Sequence, residues 1–286
     1  MTVNVSYYPG CSLDGTAREY GESVEAVARL LGIELRELDD WTCCGASSAH
    51  ATNDVLAVAL PAANLLIADK AGLDLVVPCA ACFERLKVAE KKLLAGKEVP
   101  GITDKYAGKF HIRYMLDFLW EDIGEKAIRA KVKKSLSGLT PVCYYGCLTS
   151  RPPKVTDAKN PENPQAMDNL VKSLGADVRD WSYKTDCCGG SLMLTCPDIG
   201  RKMTAKLLDM AAEAGADCII AGCPICQSNL DSYQKEISAD TGKKYAVPVF
   251  YFTELMGLAF GDPAAKKWLS RHMVDPRPLL TRKGLM

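Results

Sequence analysis

Ala71-Gly-Leu-Asp-Leu-Val-Val-Pro-Cys79-Ala-Ala-Cys82 and Ala214-Gly-Ala-Asp-Cys-Ile-Ile-Ala-Gly-Cys223-Pro-Ile-Cys226 are two versions of one segment, the second longer by one residue. In each, a glycine turn leads into a short apolar run of the kind buried on both faces in a parallel sheet, and the run ends at a CxxC. Further cysteines repeat around them. Cys11 and Cys43-Cys44-Gly45 precede the first CxxC, and Cys147 and Cys187-Cys188-Gly189 precede the second. Thirty-four residues separate Cys44 from Cys79 and Cys188 from Cys223, and the pairs Cys44/Cys188, Cys79/Cys223 and Cys82/Cys226 are each 144 apart. Ten of the thirteen cysteines therefore form one five-cysteine pattern used twice, and self-similarity of this kind governs the choice of fold.

The repeat extends beyond sulfur. Tyr8-Pro-Gly-Cys11 is matched to Tyr145-Gly-Cys147, each after an apolar run, and Lys109-Phe-His-Ile-Arg-Tyr echoes Val249-Phe-Tyr-Phe-Thr-Glu. Val24, Val27, Ala28 and Leu31 predict a helix over 22–31 that stops at Gly32, and 33–38 alternates as a half-buried strand does. Met203, Leu207, Met210 and Ala211 predict a helix over 201–214 ending at Gly215, and 73–77 and 217–221 read as buried strands. Strand and helix alternate, so the expected fold class is α/β: two pseudo-symmetric Rossmann-like domains, each with a mostly parallel sheet flanked by helices. Domains are expected at 1–136 and 137–271, joined after a helix-like 117–134 segment. The proline-rich 151–164 stretch reads as a loop. The 272–286 arm, with two prolines and no periodicity, reads equally as a disordered tail or as a docked strap.

Every cysteine group falls just past the C-terminal end of a predicted strand, the edge where open α/β sheets collect ligands. The CxxC also lies where the next helix begins (Phe83 onward; Gln227 onward), so that helix's dipole would favour thiolate.

Bulk composition narrows the setting. At 286 residues the chain has room for one large or two modest domains, and 48% hydrophobic with 24% charged residues is ordinary for a globular protein. Thirty-five basic residues balance thirty-five acidic ones, which offers no field for nucleic acid or an anionic membrane. The opening MTVNVSYYPGC lacks the layout of a signal peptide. The most apolar stretch, 55–68, is short and contains Pro61 and Asn64, which argues against membrane insertion. The expected setting is cytoplasmic, where paired cysteines mean metal or redox chemistry before they mean disulfides.

Five cysteines are one too many for a tetrahedral zinc site or for a plain cubane cluster. Adjacent cysteines point apart and suit a body with several metals better than one small ion. The spacing thus ranks iron–sulfur first, zinc second and a dithiol redox site third. Glycines after both Cys-Cys pairs suit a backbone that must approach a cluster closely. There is no CxxCxxCxxxCP run, and no GxGxxG after a strand that would hold a flavin or nicotinamide.

These residues resemble the CCG-domain family, whose signature is Cys, Cys-Cys-Gly and CxxC at about these spacings, and within it the two-copy, HdrB-like form found in heterodisulfide reductases. The Tyr-Tyr-Pro-Gly-Cys11 opening, the Tyr-Gly-Cys147-Leu-Thr-Ser-Arg-Pro run and Asp275-Pro-Arg-Pro carry that likeness. The resemblance implies a catalytic subunit with two noncubane [4Fe-4S] clusters, one on Cys11, Cys43, Cys44, Cys79 and Cys82, the other on Cys147, Cys187, Cys188, Cys223 and Cys226. The clusters would split a disulfide between them, such as the coenzyme M–coenzyme B heterodisulfide of methanogenesis or a related sulfur substrate. It implies two partners in the same complex, one ferredoxin-like and one flavin-bearing. Thirty-one residues lie between Cys11 and Cys43 but thirty-nine between Cys147 and Cys187, so zinc at one site stays open. The alternative function is an electron-relay or accessory subunit of a lactate- or glycolate-type oxidoreductase or of a sulfur-oxidation complex.

Joint cleavage requires the two sites to face a shared cleft between the halves. His50, shortly after Cys44, is the candidate proton donor, and Arg18, Arg151 and Lys154 are candidates to hold an anionic substrate. His111 and His272 have no metal-like spacing. Cys218 reads as core, Cys196 as packing and Cys143 as a neighbour of the second site.

Overall fold

The computed structural model describes residues 2–286. All strand pairs are parallel. In the first half β1 (Val3–Tyr7), β2 (Ile33–Glu37), β3 (Leu75–Val77) and β4 (Ile112–Tyr114) form a sheet in the order β2-β1-β3-β4. In the second, β5 (Pro141–Tyr144), β6 (Cys218–Ala221) and β7 (Val249–Tyr251) run in the order β5-β6-β7. The place that β2 takes beside β1 is held beside β5 by a single parallel bridge, Val142 to Arg179. The second sheet is thus the first with its edge strand reduced to one rung.

Parallel neighbours need crossovers, and helices supply them. Arg18–Leu31 links β1 to β2 and ends on Gly32 in the left-handed conformation, as its periodicity predicts. Leu56–Ala71 precedes β3 and Ala80–Leu94 follows it. Their second-half counterparts are Ala166–Ser173, Pro197–Glu213 and Pro224–Ser232. The 117–134 segment is not one helix: Gly124, at φ 85°, breaks it into a π-helical turn, Phe118–Ile123, and the short helix Glu125–Arg129.

The halves share one continuous hydrophobic core. Helix Arg18–Leu31 of the first half packs on Phe252–Phe260 of the second, and Ala166–Ser173 of the second packs on the Met115–Ile123 region of the first. Each half thus seats a helix that follows its first strand on the helical segment that follows the last strand of the other. Tyr20 stacks on Tyr251 with ring centroids 4.1 Å apart, and Ser23 Oγ meets Thr253 Oγ1 at 2.6 Å.

The 272–286 arm docks. Leu279, Leu280 and Leu285 are buried, helix Arg277–Arg282 covers the second half, and Lys283 pairs with Asp217 at 2.7 Å. Asp231 accepts the backbone N–H groups of Met273 and Val274. His272 Nε2 lies 2.9 Å from Glu254 Oε1, both side chains wholly buried. Burial disfavours the imidazolium, but Glu254, with Asp231 and Glu19 behind it, outweighs that and pushes the His272 pKa up to about 9 from 6.5. A raised pKa stabilises the fold fully below about pH 6.5, and that stabilisation drains away as pH climbs through 9. The difference corresponds to roughly 3 kcal/mol. The melting temperature should therefore fall between pH 6.5 and 9.5, and in His272→Gln that slope should flatten; an unchanged slope removes His272 from the account.

Candidate metal centre

Each five-cysteine set gathers at the C-terminal edge of its sheet. Cys11 follows β1, Cys43 and Cys44 follow β2, and Cys79 follows β3; Cys147, Cys187, Cys188 and Cys223 hold the matching places. The CxxC forms the first turn of its helix, with Cys79 and Cys223 at the cap positions, one turn earlier than the sequence spacing suggests. Cys44, Cys79, Cys82, Cys188, Cys223 and Cys226 are buried, Cys147 is half-buried, and Cys11, Cys43 and Cys187 are exposed. Both sites thus have a buried base of three sulfurs and a more accessible rim of two.

The sulfurs associate in pairs. Cys11 and Cys43 Sγ are 3.7 Å apart, Cys44 and Cys82 3.3 Å, and Cys188 and Cys226 3.5 Å. All thirteen cysteines are free thiols. Backbone N–H groups of Gly45 and Gly189 donate to Cys43 and Cys187 Sγ at 3.4 and 3.3 Å, and Asn229 Nδ2 to Cys188 Sγ at 3.6 Å. These contacts place thiolates beside thiols. Its contacts with Cys43 and Cys82 and the Ala46 N–H, helped by the Arg85 charge, hold Cys44 down at about 4 against the cost of burial. Cys187 is lowered to about 6 by Cys147 and the Gly189 N–H. Cys223 is lowered by Cys226, Cys79 and the N–H groups of its own helix terminus. Their donors Cys43, Cys147, Cys79 and Cys226 are raised correspondingly.

The sets meet. Cys79 and Cys223, both buried, perturb each other's ionisation across the boundary between the halves. The Tyr20 hydroxyl lies 3.0 Å from the Pro78 carbonyl oxygen and 3.2 Å from that of Gly222, so one proton serves the carbonyls that precede both CxxC motifs. Tyr114 also donates to Gly222 O, at 2.7 Å. The expected shared cleft takes another form: the sites approach each other at the two buried CxxC turns that Tyr20 bridges. A cavity of about 500 Å³ is walled by Phe83 next to Cys82 and by Thr149 and Ser150 near Cys147, with none of the ten sulfurs in its lining.

Repeat symmetry explains further residues. Tyr8 donates to Thr42 O at 2.6 Å and Tyr144 to Asp186 O at 2.6 Å, each pinning the carbonyl ahead of a Cys-Cys pair. Tyr8 is therefore the counterpart of Tyr144 and not of Tyr145, whose hydroxyl bonds Asp168 instead. Gly10 and Gly146, just before the lone cysteines, have φ of 75° and 69°, and a Cβ there would come within 2.8 Å of Cys82 Sγ or 3.0 Å of Cys226 Sγ. These two glycines let the lone-cysteine loop close over the CxxC. Tyr20, Tyr114 and Asn229 carry no motif of their own, and only the fold brings them to the sites.

His50 is exposed at the rim of the first site, with Nδ1 2.8 Å from Arg85 Nη1. Arg18 donates to Asp14 O and lines a cavity beside Pro224 and Gln227. Arg151 is exposed and pairs with Glu162 while bonding Thr185, and Lys154 is exposed on helix Pro153–Thr156. His111 is exposed beside Asp74. Cys143 and Cys218 are core residues of β5 and β6, whereas Cys196, read as packing, is exposed because it caps helix Pro197–Glu213 at its surface end.

The donor set fits a polynuclear sulfur-ligated centre. Each set offers five thiols, more than one tetrahedral ion takes, with glycine cradles and N–H donors beside them. Fold and site together define a class: duplicated parallel α/β proteins with twin five-cysteine sites at the sheet edges. Residues 5–87 and 142–231 match CCG, the cysteine-rich domain, and the chain belongs to that family. It is 33% identical to the 8-methylmenaquinol:fumarate reductase membrane anchor subunit of Wolinella succinogenes over 98% of this chain and 100% of that protein. It is 27% identical to a protein of Archaeoglobus profundus described as like the B subunit of heterodisulfide reductase, over 91% of this chain and 92% of that one. The crystal structure of a hypothetical protein from Helicobacter pylori shares the fold, with TM-score 0.69 at 12% identity over 95% of this chain; the chain spans about half the length of that neighbour.

Gly10→Ala and Gly146→Ala should each cost about 1–3 kcal/mol through left-handed strain and contact with sulfur, and each should lower the metal bound per chain by about half. Gly96→Ala has the same backbone sign (φ 67°) with nothing within 4 Å, and its metal content should match the wild type. Metal analysis and thermal melts of the three variants read this directly.

Proposed function

We propose that this chain is the redox subunit of a multi-subunit oxidoreductase of the heterodisulfide reductase type, holding two iron–sulfur centres. Cys11, Cys43, Cys44, Cys79 and Cys82 would hold one and Cys147, Cys187, Cys188, Cys223 and Cys226 the other, each as a noncubane [4Fe-4S] cluster that uses all five thiolates. The observation that carries this reading is the Tyr20 hydroxyl shared between the Pro78 and Gly222 carbonyls, which sets the CxxC turns of two complete sulfur sets side by side. Zinc suits it less, since a tetrahedral site takes four ligands and each set offers five cysteines.

When bound, the clusters would supply electrons one at a time, and the favoured substrate is a small disulfide reduced to two thiols. The chain's own residues prepare the sites. The Gly189 N–H and helix-terminal N–H groups favour the thiolate at Cys187 and Cys223, Tyr20 keeps the two CxxC turns at fixed separation, and the buried base excludes water. Arg18, Arg151 and Lys154 stand at the exposed side of the sites as holders of an anionic substrate, and His50 with Arg85 at the first rim is the proton donor of this reading. Val55, Leu56, Leu194 and Ile199 are exposed apolar residues after the two Cys-Cys motifs, Val55 and Ile199 being 144 positions apart. They suit partners that cover both rims, here one ferredoxin-like and one flavin-bearing protein of the same complex. The setting of this reading is cytoplasmic; no helix among the described residues is long and apolar enough to cross a membrane.

A second reading is favoured by the end-to-end likeness to the W. succinogenes protein. In it the chain relays electrons between partners, and no disulfide is cut. Anaerobic purification with metal counts and EPR of the oxidised protein tests both. About eight irons per chain and a signal that appears only with added thiol support disulfide chemistry. Eight irons with no thiol response, and reduction by a quinol, support the relay. About two zincs and no iron sink the redox reading altogether.

A further inference from the structure

An offset of 144 residues carries the second site onto the first, and the two then differ in charge. Arg85 lies one helical turn after Cys82, on the same face of helix Ala80–Leu94, and is partly buried. Its charge reaches Cys44, whose Sγ is 3.3 Å from Cys82 Sγ. The counterpart of Arg85 is Asn229, one turn after Cys226. Its amide Nδ2 lies 3.6 Å from Cys188 Sγ and donates to the carbonyls of Cys188 and Gly190 at 3.2 and 2.9 Å. One position thus presents a full cation to the first sulfur set and a neutral dipole to the second.

A second difference runs the same way. Asp186 stands directly before Cys187, where the first half has Thr42 before Cys43. Tyrosine hydroxyls pin both backbone carbonyls alike, so only the side chains differ. Partners soften each charge without removing it. Glu84 forks onto Arg85, but from two residues after Cys82, on the other side of the helix. Lys206 meets Asp186 at 3.3 Å with both side chains exposed to water, which screens the pair. Lys184, the buried cation ahead of the second Cys-Cys pair, is already matched by Asp168 and Asp180.

Solvent adds to the contrast, because Cys11 and Cys43 are both exposed whereas Cys147 is half-buried. A cluster gains negative charge on reduction, so a neighbouring cation and solvent favour its reduced form and a carboxylate opposes it. The Asn229 amide favours reduction too, but a neutral donor at that distance acts more weakly than a full charge.

We propose that Arg85 and Asp186 hold the two centres at different reduction potentials, so that an electron supplied to this chain settles on the centre of Cys11, Cys43, Cys44, Cys79 and Cys82. The inference rests on the iron–sulfur reading above and gives the halves unequal roles: the first retains the electron and the second passes it on. One electron moves from the second centre to the first, and no bond is made or broken.

Redox titration of the full-length protein tests it, with anaerobic purification, dithionite as reductant, mediator dyes, and visible absorbance and EPR as readouts. Two one-electron waves of unequal midpoint are expected. Arg85→Asn, which copies the other half, should lower the upper wave by about tenfold in its equilibrium constant, about 59 mV, and leave the lower wave in place. Arg85→Lys keeps the charge and should restore most of that loss. Asp186→Thr, the reverse copy, should raise the lower wave by about threefold, less than the Arg85 effect because water screens Asp186. A single wave in the wild type, a lower wave that moves with Arg85→Asn, or a Lys variant no better than Asn overturns the inference. Should Arg85→Asn lose its iron, the presence or absence of the Asp186→Thr shift decides. Iron counts on the same samples separate the two failures. Iron-replete wild type without these shifts in its variants sinks the inference alone, whereas wild type without iron sinks the redox reading and this inference with it.

Discussion

The meeting of the two CxxC turns at the boundary between the halves is the constraint around which the rest of the molecule is arranged. Cys79 and Cys223, each buried at the cap of its helix, follow β3 and β6, the strands that lie beside the first strand of each half. That placement obliges both CxxC turns to stop at a common plane, and the Tyr20 hydroxyl, shared between the Pro78 and Gly222 carbonyls, holds them there. Tyr20 is itself held by its stack on Tyr251 and by total burial. A hydroxyl that satisfies two buried carbonyls cannot move without orphaning one, so the spacing between the sites is stiff.

The exchange of helices between halves follows from the same meeting. A half standing alone would expose the apolar face of the helix Arg18–Leu31 or Ala166–Ser173; across the boundary each such face finds the helical segment after the last strand of the other half. Apolar burial of this extent supplies the bulk of the favourable energy, and the polar contacts at the seam, Ser23 with Thr253 and Arg29 with Asp262, fix its register. The arm adds a latch, with Asp231 and Glu254 receiving two backbone N–H groups and an imidazolium, and three leucines following behind.

Departures from symmetry are as informative as the symmetry. The second sheet loses an edge strand to a single bridge at Arg179, and the chain length released there and in the shortened Ala166–Ser173 helix is accompanied by the 151–164 insertion. The ten sulfurs keep their order through this change, because each is tied to a strand end. The space between loop and helix is free to vary, and it does.

Much of this was legible in the residues. Strands β3 and β6, the helix that stops at Gly32 and the positions of all ten motif cysteines follow from apolar periodicity, glycine stops and a repeat of 144, since these depend on neighbours in sequence. The break at Gly124 was hidden because the apolar pattern runs on through a glycine that the backbone uses at positive φ. Tyr8 was paired with the wrong tyrosine, although counting back from the lone cysteine in Tyr8-Pro-Gly-Cys11 and Tyr144-Tyr-Gly-Cys147 gives the right one, and the carbonyl each one reaches confirms it. Tertiary structure alone determined that the two sites approach each other, that Tyr20 and Tyr114 serve both, that the arm docks and that the insertion encloses a cavity. Each of these joins residues far apart in the chain, and hydrogen-bond satisfaction is a property of the packed molecule that no local stretch of chain contains.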